Sequence, residues 1–373
     1  MNKIYGVFSK SDLEKLFENN RLTSHGNFSS SHIGTASVDI TVTDEAYRVT
    51  NLLQPRQVKN QQIRNLLPFM RPERVPLGSV IGVGETVIAK GSVGINFPPG
   101  MYGYLNAKSS TGRNFLFTRS LADGLTEFDS VSKRNVGYTA EIWLVLQPLV
   151  FPIILTDQER YNQLRVFDGD TRFKQEDLNL LLQEHDLLFK RDTQEPYKQN
   201  ELSLFTHDGS ILSTLYAPAG ELIGYRCKRN VHPVDLTRRD IDPKEYFEPV
   251  YGEYVEIGNE HIEFVTIEAG YHYLLSTNEM LKVPDTHIAE LVALNPRLGF
   301  FFSHFAGFFD NGFFGTATLE IYAPITMRLH HKQPVAQFVF EELRSSAPSY
   351  KEKGNYQGQI ETQLPKQFLP WKK

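Results

Sequence analysis

Residues 107–113 read AKSSTGR and gather hydroxyl side chains, a glycine and two cations into one short stretch. Such a loop offers hydroxyls, backbone N–H groups and the Arg113 guanidinium to phosphate oxygens, the last of these bidentately. It is not a P-loop, because the order GxxxxGK[ST] is absent. A plain polar turn between strands is the competing reading. The second chemically suggestive stretch is 306–320, AGFFDNGFFGTATLE, an apolar run broken once by a turn and closed by a carboxylate. Glu320 stands between Leu319 and Ile321, so it is either a solvated strand residue or a buried acid with a task. His261, His272, His304, His330 and His331 make no HxH or HxxxH ligand set.

These groups have to be positioned by short strands. Asp310, Asn311 and Gly312 supply tight-turn chemistry, Gly315 permits a close backbone approach, and Thr316–Tyr322 is a β-prone series, which predicts strand, turn, strand. Ser9–Asn19 has helical spacing, with Ser11 and Asp12 at the cap. From Ser37 the alternation Val38, Ile40, Val42 has period two, and similar runs recur at 80–90, 101–107 and 139–150. Short strands punctuated by Gly and Pro, without matching helices, predict a mainly β sandwich or barrel. Leucines within 173–190 predict a helix that closes a first domain. The polar stretch 191–201 reads as a linker, with the boundary near residue 203. The expected layout is 1–203, 204–345 and a flexible polar tail at 346–373.

The chain has 373 residues, enough for two domains. With 40% hydrophobic, 22% charged and 12% aromatic residues and a net charge of −5, it lacks the basic excess of a nucleic-acid binder. Cys227 is the sole cysteine, which precludes an intrachain disulfide or a cysteine-rich zinc cluster and favours a reducing compartment. No long apolar run predicts export or a membrane span, so the cytoplasm is expected. The two halves repeat similar punctuation in the same order. SVDI at 37–40 pairs with PVDL at 233–236, 87–99 with 273–284, and 161–167 with 335–341, which predicts a tandem duplication.

Residues 107–113 resemble the AKSS-x-G-R loop of the dUTPase-like superfamily, above all of the dCTP deaminases. The order of the family, R-L-G, then A-G, then I-D-P-G-[WF]-x-G, then L-E, is similar to Arg297-Leu298-Gly299, Ala306-Gly307, Asp310, Gly312, Phe313, Gly315 and Leu319-Glu320. Residues 349–359, SYKEKGNYQGQ, resemble the C-terminal nucleotide-closing segment of the family, and the doubled length resembles a long tandem-domain bacterial form. The resemblance implies two tandem dUTPase-like β-barrel or distorted jelly-roll domains with a few short helices. It implies hydrolytic deamination of dCTP to dUTP without protein-bound zinc, Mg²⁺ travelling with the triphosphate. The catalytic set it implies is Glu320, Ser109, Arg113 and Ala306, with Ala122 offering a carbonyl in the other half and Glu141 as rival base. Lys108, Ser110, Gly112, Arg297, Asp310, Phe313, Thr318, Tyr350, Tyr356 and Gln359 would bind substrate. A homo-oligomer, with a trimer favoured, is implied as well.

Neither half is complete. Ala293 replaces a loop serine in the second half, while the first has extra residues before Glu141. Family sites lie between copies of the fold, so the expected site combines Ser109 and Arg113 with Glu320. Asn355 replaces a common lysine of the closing segment, which weighs toward a shorter phosphate chain. dUTP pyrophosphatase, a bifunctional deaminase and pyrophosphatase, or a non-catalytic nucleotide-binding protein are the alternatives. The first of these usually lacks a glutamate at the position of Glu320.

Overall fold

The computed structural model describes residues 5–56, 61–131, 137–169, 171–198, 208–294, 306–352 and 354–372. Its contacts divide into two compact units. Unit 1 comprises Met1–Thr171, Asn230–Arg239 and Glu342–Ala347; unit 2 comprises Arg172–Arg229, Asp240–Glu341 and Pro348–Lys373.

Unit 1 opens with helix α1 (Lys10–Glu18), whose N-cap is Ser9, its amide donating to Asp12 Oδ2 at 3.2 Å in a capping box, two positions earlier than the cap expected at Ser11 and Asp12. Two antiparallel sheets follow. In the first, β1 (Val38–Ile40) and β4 (Met101–Ala107) both pair with β7 (Asn162–Asp168). In the second the order is β2 (Val42–Val49), β3 (Thr86–Phe97), β6 (Tyr138–Pro148) and β5 (Leu116–Ala122). Ile142, Leu144 and Leu146 turn one face of β6 inward. Trp143 and Val145 turn the other face toward α2 (Ile63–Leu66) and form a smaller apolar cluster with Ile63, Leu66 and Met70. The helical turn α3 (Ser109–Arg113) follows β4 directly.

Unit 2 repeats the scheme. Helix α4 (Gln175–Glu184) and β8 (Leu188–Lys190) lead into a sheet ordered β8, β12 (His272–Lys282), β10 (Leu222–Cys227) and β11 (Phe247–Tyr251). Strand β15 (Phe314–Tyr322) also pairs with β12. The facing sheet is β9 (Ser210–Thr214), β16 (Pro334–Glu342), β13 (His287–Ala293) and β14 (Phe308–Phe309). The pairs β12–β15 and β13–β16 thus answer β3–β6 and β4–β7, as the duplication predicts.

Register corrects one element of that comparison. Gln163 pairs with Asp39, and its counterpart Gln337 pairs with Leu212, so the partner of SVDI is SILS at 210–213. PVDL lies in unit 1 instead, where Val234 pairs with Ile153.

Two further expectations change. Helix α4 is shorter than 173–190 and opens unit 2, because Leu178 and Leu181 pack with Ile211, Phe338 and Leu188; the division falls at residue 171 rather than near 203. Residues 199–207, where the linker ends, lie outside the described residues. The 306–320 stretch is strand, turn, strand as expected; β14 joins β13 while β15 joins β12, so the turn is a corner between sheets. The C-terminal segment is a strap rather than a free tail. Leu364 and Phe368 are buried, Phe368 meets Tyr246 and Phe247 edge-on, Trp371 packs on Tyr225, and Thr362 donates to the carbonyl of Ile223 at 2.8 Å. Polar composition concealed these anchors. Truncating Phe368 to Ala is expected to cost about 3 kcal/mol in urea unfolding; the same change at the exposed Leu369 should cost less than about 1 kcal/mol. Equal, negligible effects at both positions would show that the strap does not pack.

Candidate functional site

The AKSSTGR stretch folds as a single helical turn because Lys108 offers its carbonyl to the Gly112 amide at 3.0 Å and Ser110 offers its own to Asn114 at 3.2 Å. Ser110, Thr111, Gly112 and Arg113 are buried and Ser109 is half-exposed. Ser109 Oγ makes no hydrogen bond to the described residues. Lys108, expected to meet phosphate, is committed elsewhere: its Nζ lies 2.8 Å from Asp39 Oδ1 and donates to Gln163 Oε1 at 3.2 Å. Arg160 takes the other Asp39 oxygen at 3.0 Å. Asp39 and Gln163 were the aligned positions in the repeat comparison, so the signal for this network was present, but only strand register discloses the partners.

Ala122 and Glu141 stand together in unit 1. The Asp123 amide donates to the carbonyl of Glu141 at 3.3 Å, and the Glu141 amide donates to Asp123 Oδ2 at 3.1 Å. Around the Glu141 carboxylate are the Lys90 ammonium, in direct contact, and Arg64 Nη2 at 3.5 Å. Burial pushes this carboxyl up, but the Lys90 hydrogen bond and charge, joined by Arg64, more than offset it and hold the group below its ordinary value. A third of the side chain stays exposed.

Glu320 has a different setting. On β15, Ala317, Leu319 and Ile321 enter the apolar core with Leu275, Phe338 and Phe340, so Thr316, Thr318 and Glu320 share the opposite face. That face is also buried: Thr316, Thr318 and Glu320 are 0%, 5% and 1% exposed. Glu320 lies opposite Leu274 on β12, and Thr318 opposite Ser276. The strap covers the start of the face. Gln359 Nε2 donates to the carbonyl of Thr316, and the Thr316 amide donates back to the carbonyl of Gln359 at 2.9 Å. A side chain at Gly315 would meet Gln359 O at 2.8 Å, which is the close backbone approach anticipated for that glycine.

The remaining expected residues of the second half gather at the same corner. Phe313 is buried and its ring lies 5.9 Å from that of Tyr350; the Tyr356 amide donates to the Tyr350 hydroxyl at 3.3 Å; the Phe313 amide donates to the carbonyl of Asp310 at 3.2 Å. Ala306 is buried. Arg297, Leu298, Gly299 and His304 lie outside the described residues. Among the described residues, no group of three or more His, Cys, Asp or Glu side chains is arranged to hold a metal ion, and no helix is long and apolar enough to cross a membrane. A cavity of about 750 Å³ in unit 2, lined by Leu182, His185, Asp186, Glu195 and Tyr197, includes none of the expected catalytic groups.

Comparison with known proteins decides the family. Residues 4–170 match the family model of the 2'-deoxycytidine 5'-triphosphate deaminase (DCD) N-terminal domain, and residues 176–368 that of the C-terminal domain. The chain belongs to the dCTP deaminase family. It is similar to the crystal structure of 2'-deoxycytidine 5'-triphosphate deaminase from Agrobacterium tumefaciens, with a TM-score of 0.79 and 25% identity over 93% of this chain and 100% of that one. No curated protein matches it in sequence. The mainly β, dUTPase-like tandem fold follows from this likeness; the boundary between the two family domains falls beside the Thr171–Arg172 division of the units, while Asn230–Arg239 and Glu342–Ala347 of the second family domain belong to unit 1. Within this deaminase chain the serine–arginine turn and Glu141 belong to unit 1, whereas Glu320, Thr318, Asp310, Phe313 and the strap tyrosines belong to unit 2. Reading for motifs missed Lys90 and Arg64, which neutralise Glu141, because neither stands near it in the chain.

The state of Glu141 has a pH signature. Its folded value is held below the ordinary 4.5, so its stabilising contribution is fully present above that value and is lost as pH falls through the folded one. Glu141→Gln should therefore lower the urea midpoint at pH 7, with the deficit shrinking steadily as pH drops below about 4.5. A deficit of constant size across the titration would contradict the ion-pair assignment.

Proposed function

We propose that this deaminase converts dCTP to dUTP and ammonia with Glu320 as the proton-transferring group. The observation that carries the choice is the contrast between the two carboxylates: Glu320 is withdrawn from solvent on a threonine-lined face, whereas Glu141 is clamped by an ammonium and a guanidinium. A carboxylate held by two cations is a poor proton acceptor. In the reaction Glu320 takes a proton from water as the oxygen attacks C4 of the cytosine ring. It then returns that proton to the amino group, the C4–N bond breaks, and ammonia leaves. Ser109, whose hydroxyl is uncommitted, holds the water or the pyrimidine, and Arg113 stabilises charge developing near the ring. The carbonyl of Ala306 orients the water.

Mg²⁺ accompanies the triphosphate in this reading, as it does for nucleotide substrates bound through their phosphates. A homo-oligomer, a trimer by resemblance, and a cytoplasmic location complete the proposal. Incubation of the purified chain with dCTP and Mg²⁺ should yield dUTP and ammonia in equal amounts, and Ser109→Ala should lower kcat/KM by roughly 10-fold or more. Release of dUMP from dUTP with dCTP untouched would identify a pyrophosphatase instead. Nucleotide binding with no turnover would identify a binding protein.

A further inference from the structure

Arg191 was not singled out by any motif, yet unit 2 places its guanidinium beside the Glu320 face. It follows β8, whose Lys190 pairs with Glu279 on β12. Nη1 donates to Ser276 Oγ at 2.9 Å and to the carbonyl of Thr277 at 3.1 Å. The guanidinium carbon lies over the Tyr216 ring, 3.6 Å from its centroid, a contact that restrains the fork together with the two Nη1 bonds. The Tyr216 hydroxyl is itself anchored on Glu221. Ser276 is in register with Thr318, and its strand neighbour Leu274 with Glu320, so all these side chains belong to one sheet face.

Arg191 is 91% buried, given a relative exposure of 9%. Only Nη1 is used; Nε and Nη2 make no hydrogen bond to the described residues, and no carboxylate among them lies within ion-pair distance. Glu361, Glu221 and Asp192 act on the guanidinium through space without pairing with it. The unused edge keeps contact with solvent, and a largely buried guanidinium without a counter-ion favours an anion there. A second group points the same way. Thr318 Oγ1 is fully buried and has no hydrogen-bond partner, which in a native core calls for a ligand or an ordered water. Arg191 follows β8 and Thr318 lies on β15, the two strands that flank β12, and Ser276 of β12 bonds the first and is in register with the second; a guanidinium edge and a hydroxyl so linked suit a tetrahedral oxyanion, which takes two parallel N–H donors and one O–H donor.

We propose that Arg191, held by Tyr216 and Ser276 and joined by Thr318, is an oxyanion subsite on the Glu320 face that takes a phosphate group of the nucleotide. The inference rests on the reading that this face receives nucleotide. Its chemistry is separate from that of the AKSSTGR turn: the fork is fixed by an aromatic stack rather than presented on a helical turn.

Calorimetric titration of the full-length protein with inorganic tripolyphosphate, dCTP and deoxycytidine tests it, alongside the melting temperature of each variant. Arg191→Gln should weaken tripolyphosphate and dCTP about 10- to 100-fold and leave deoxycytidine unchanged. Arg191→Lys should recover only part of the loss, since an ammonium lacks the fork. Thr318→Val, which keeps volume and removes the hydroxyl, should weaken the two phosphate ligands several-fold without shifting deoxycytidine. Unchanged tripolyphosphate affinity in folded Arg191→Gln and Thr318→Val, or a parallel loss of all three ligands with a lowered melting temperature, overturns the subsite. If the wild-type protein turns over dCTP in that case, the functional reading stands without it. Conversely, loss of tripolyphosphate binding in Arg191→Gln by a protein that never deaminates dCTP supports the subsite and rejects deamination.

Discussion

Strand β15 must bury both of its faces, and much of unit 2 follows from that constraint. Its odd-numbered residues Ala317, Leu319 and Ile321 enter a core of leucines and phenylalanines, where removing a side chain the size of Leu319 would cost about 2–5 kcal/mol. Its even-numbered residues between Phe314 and Tyr322 are Thr316, Thr318 and Glu320, which no apolar layer can satisfy. The strap resolves part of the conflict by bonding Gln359 reciprocally to the Thr316 backbone. Gly315 admits that backbone contact, and the aromatic anchors Phe368 and Trp371 hold the far end of the strap. Past Thr316 the polar face continues to Thr318, Glu320 and the Arg191 guanidinium. A buried strand face that keeps an acid and hydroxyls beside a guanidinium sacrifices packing there, and such concentrations of buried polar groups are characteristic of sites.

The two units have the same strand pairings but different electrostatics. Unit 1 keeps the intact serine–arginine turn, yet neutralises Glu141 with Lys90 and Arg64 and ties Lys108 to Asp39. Unit 2 surrounds Glu320 with neutral strand neighbours. Duplication thus leaves one carboxylate in an ion-pair cluster at a third exposure and the other almost fully buried on a strand face. In unit 1 the backbone of the serine–arginine turn closes on itself, Lys108 to Gly112 and Ser110 to Asn114.

Local chemistry made much of this legible in the sequence. Asp310-Asn311-Gly312 demands a turn and Gly315 a close approach; both occur, with Gly312 at a φ of +81°. Alternation along β1 and the order of motifs along both halves also carried over. Non-local facts did not. Leu178 and Leu181 announce a buried helix face but not which unit buries it. SVDI resembles PVDL by composition, whereas its structural counterpart SILS shares no charge with it, because position is fixed by hydrogen-bonded register and not by residue type. The strap read as a tail because Leu364, Phe368 and Trp371 have neither helical nor strand periodicity. Arg191 escaped for a related reason: in a polar stretch a cation is ordinarily solvated, and only the Tyr216 stack and Ser276 show otherwise.

The most direct test of this account compares the two carboxylates in one measurement, single-turnover ammonia release from saturating dCTP by Glu320→Gln and Glu141→Gln. Loss of a general acid–base group typically lowers the rate by about 10²- to 10⁴-fold. A fall of that size is expected for Glu320→Gln with dCTP still bound, and at most a small change for Glu141→Gln at temperatures where both remain folded. Near-normal release by Glu320→Gln together with collapse in Glu141→Gln would contradict it and assign the base to unit 1.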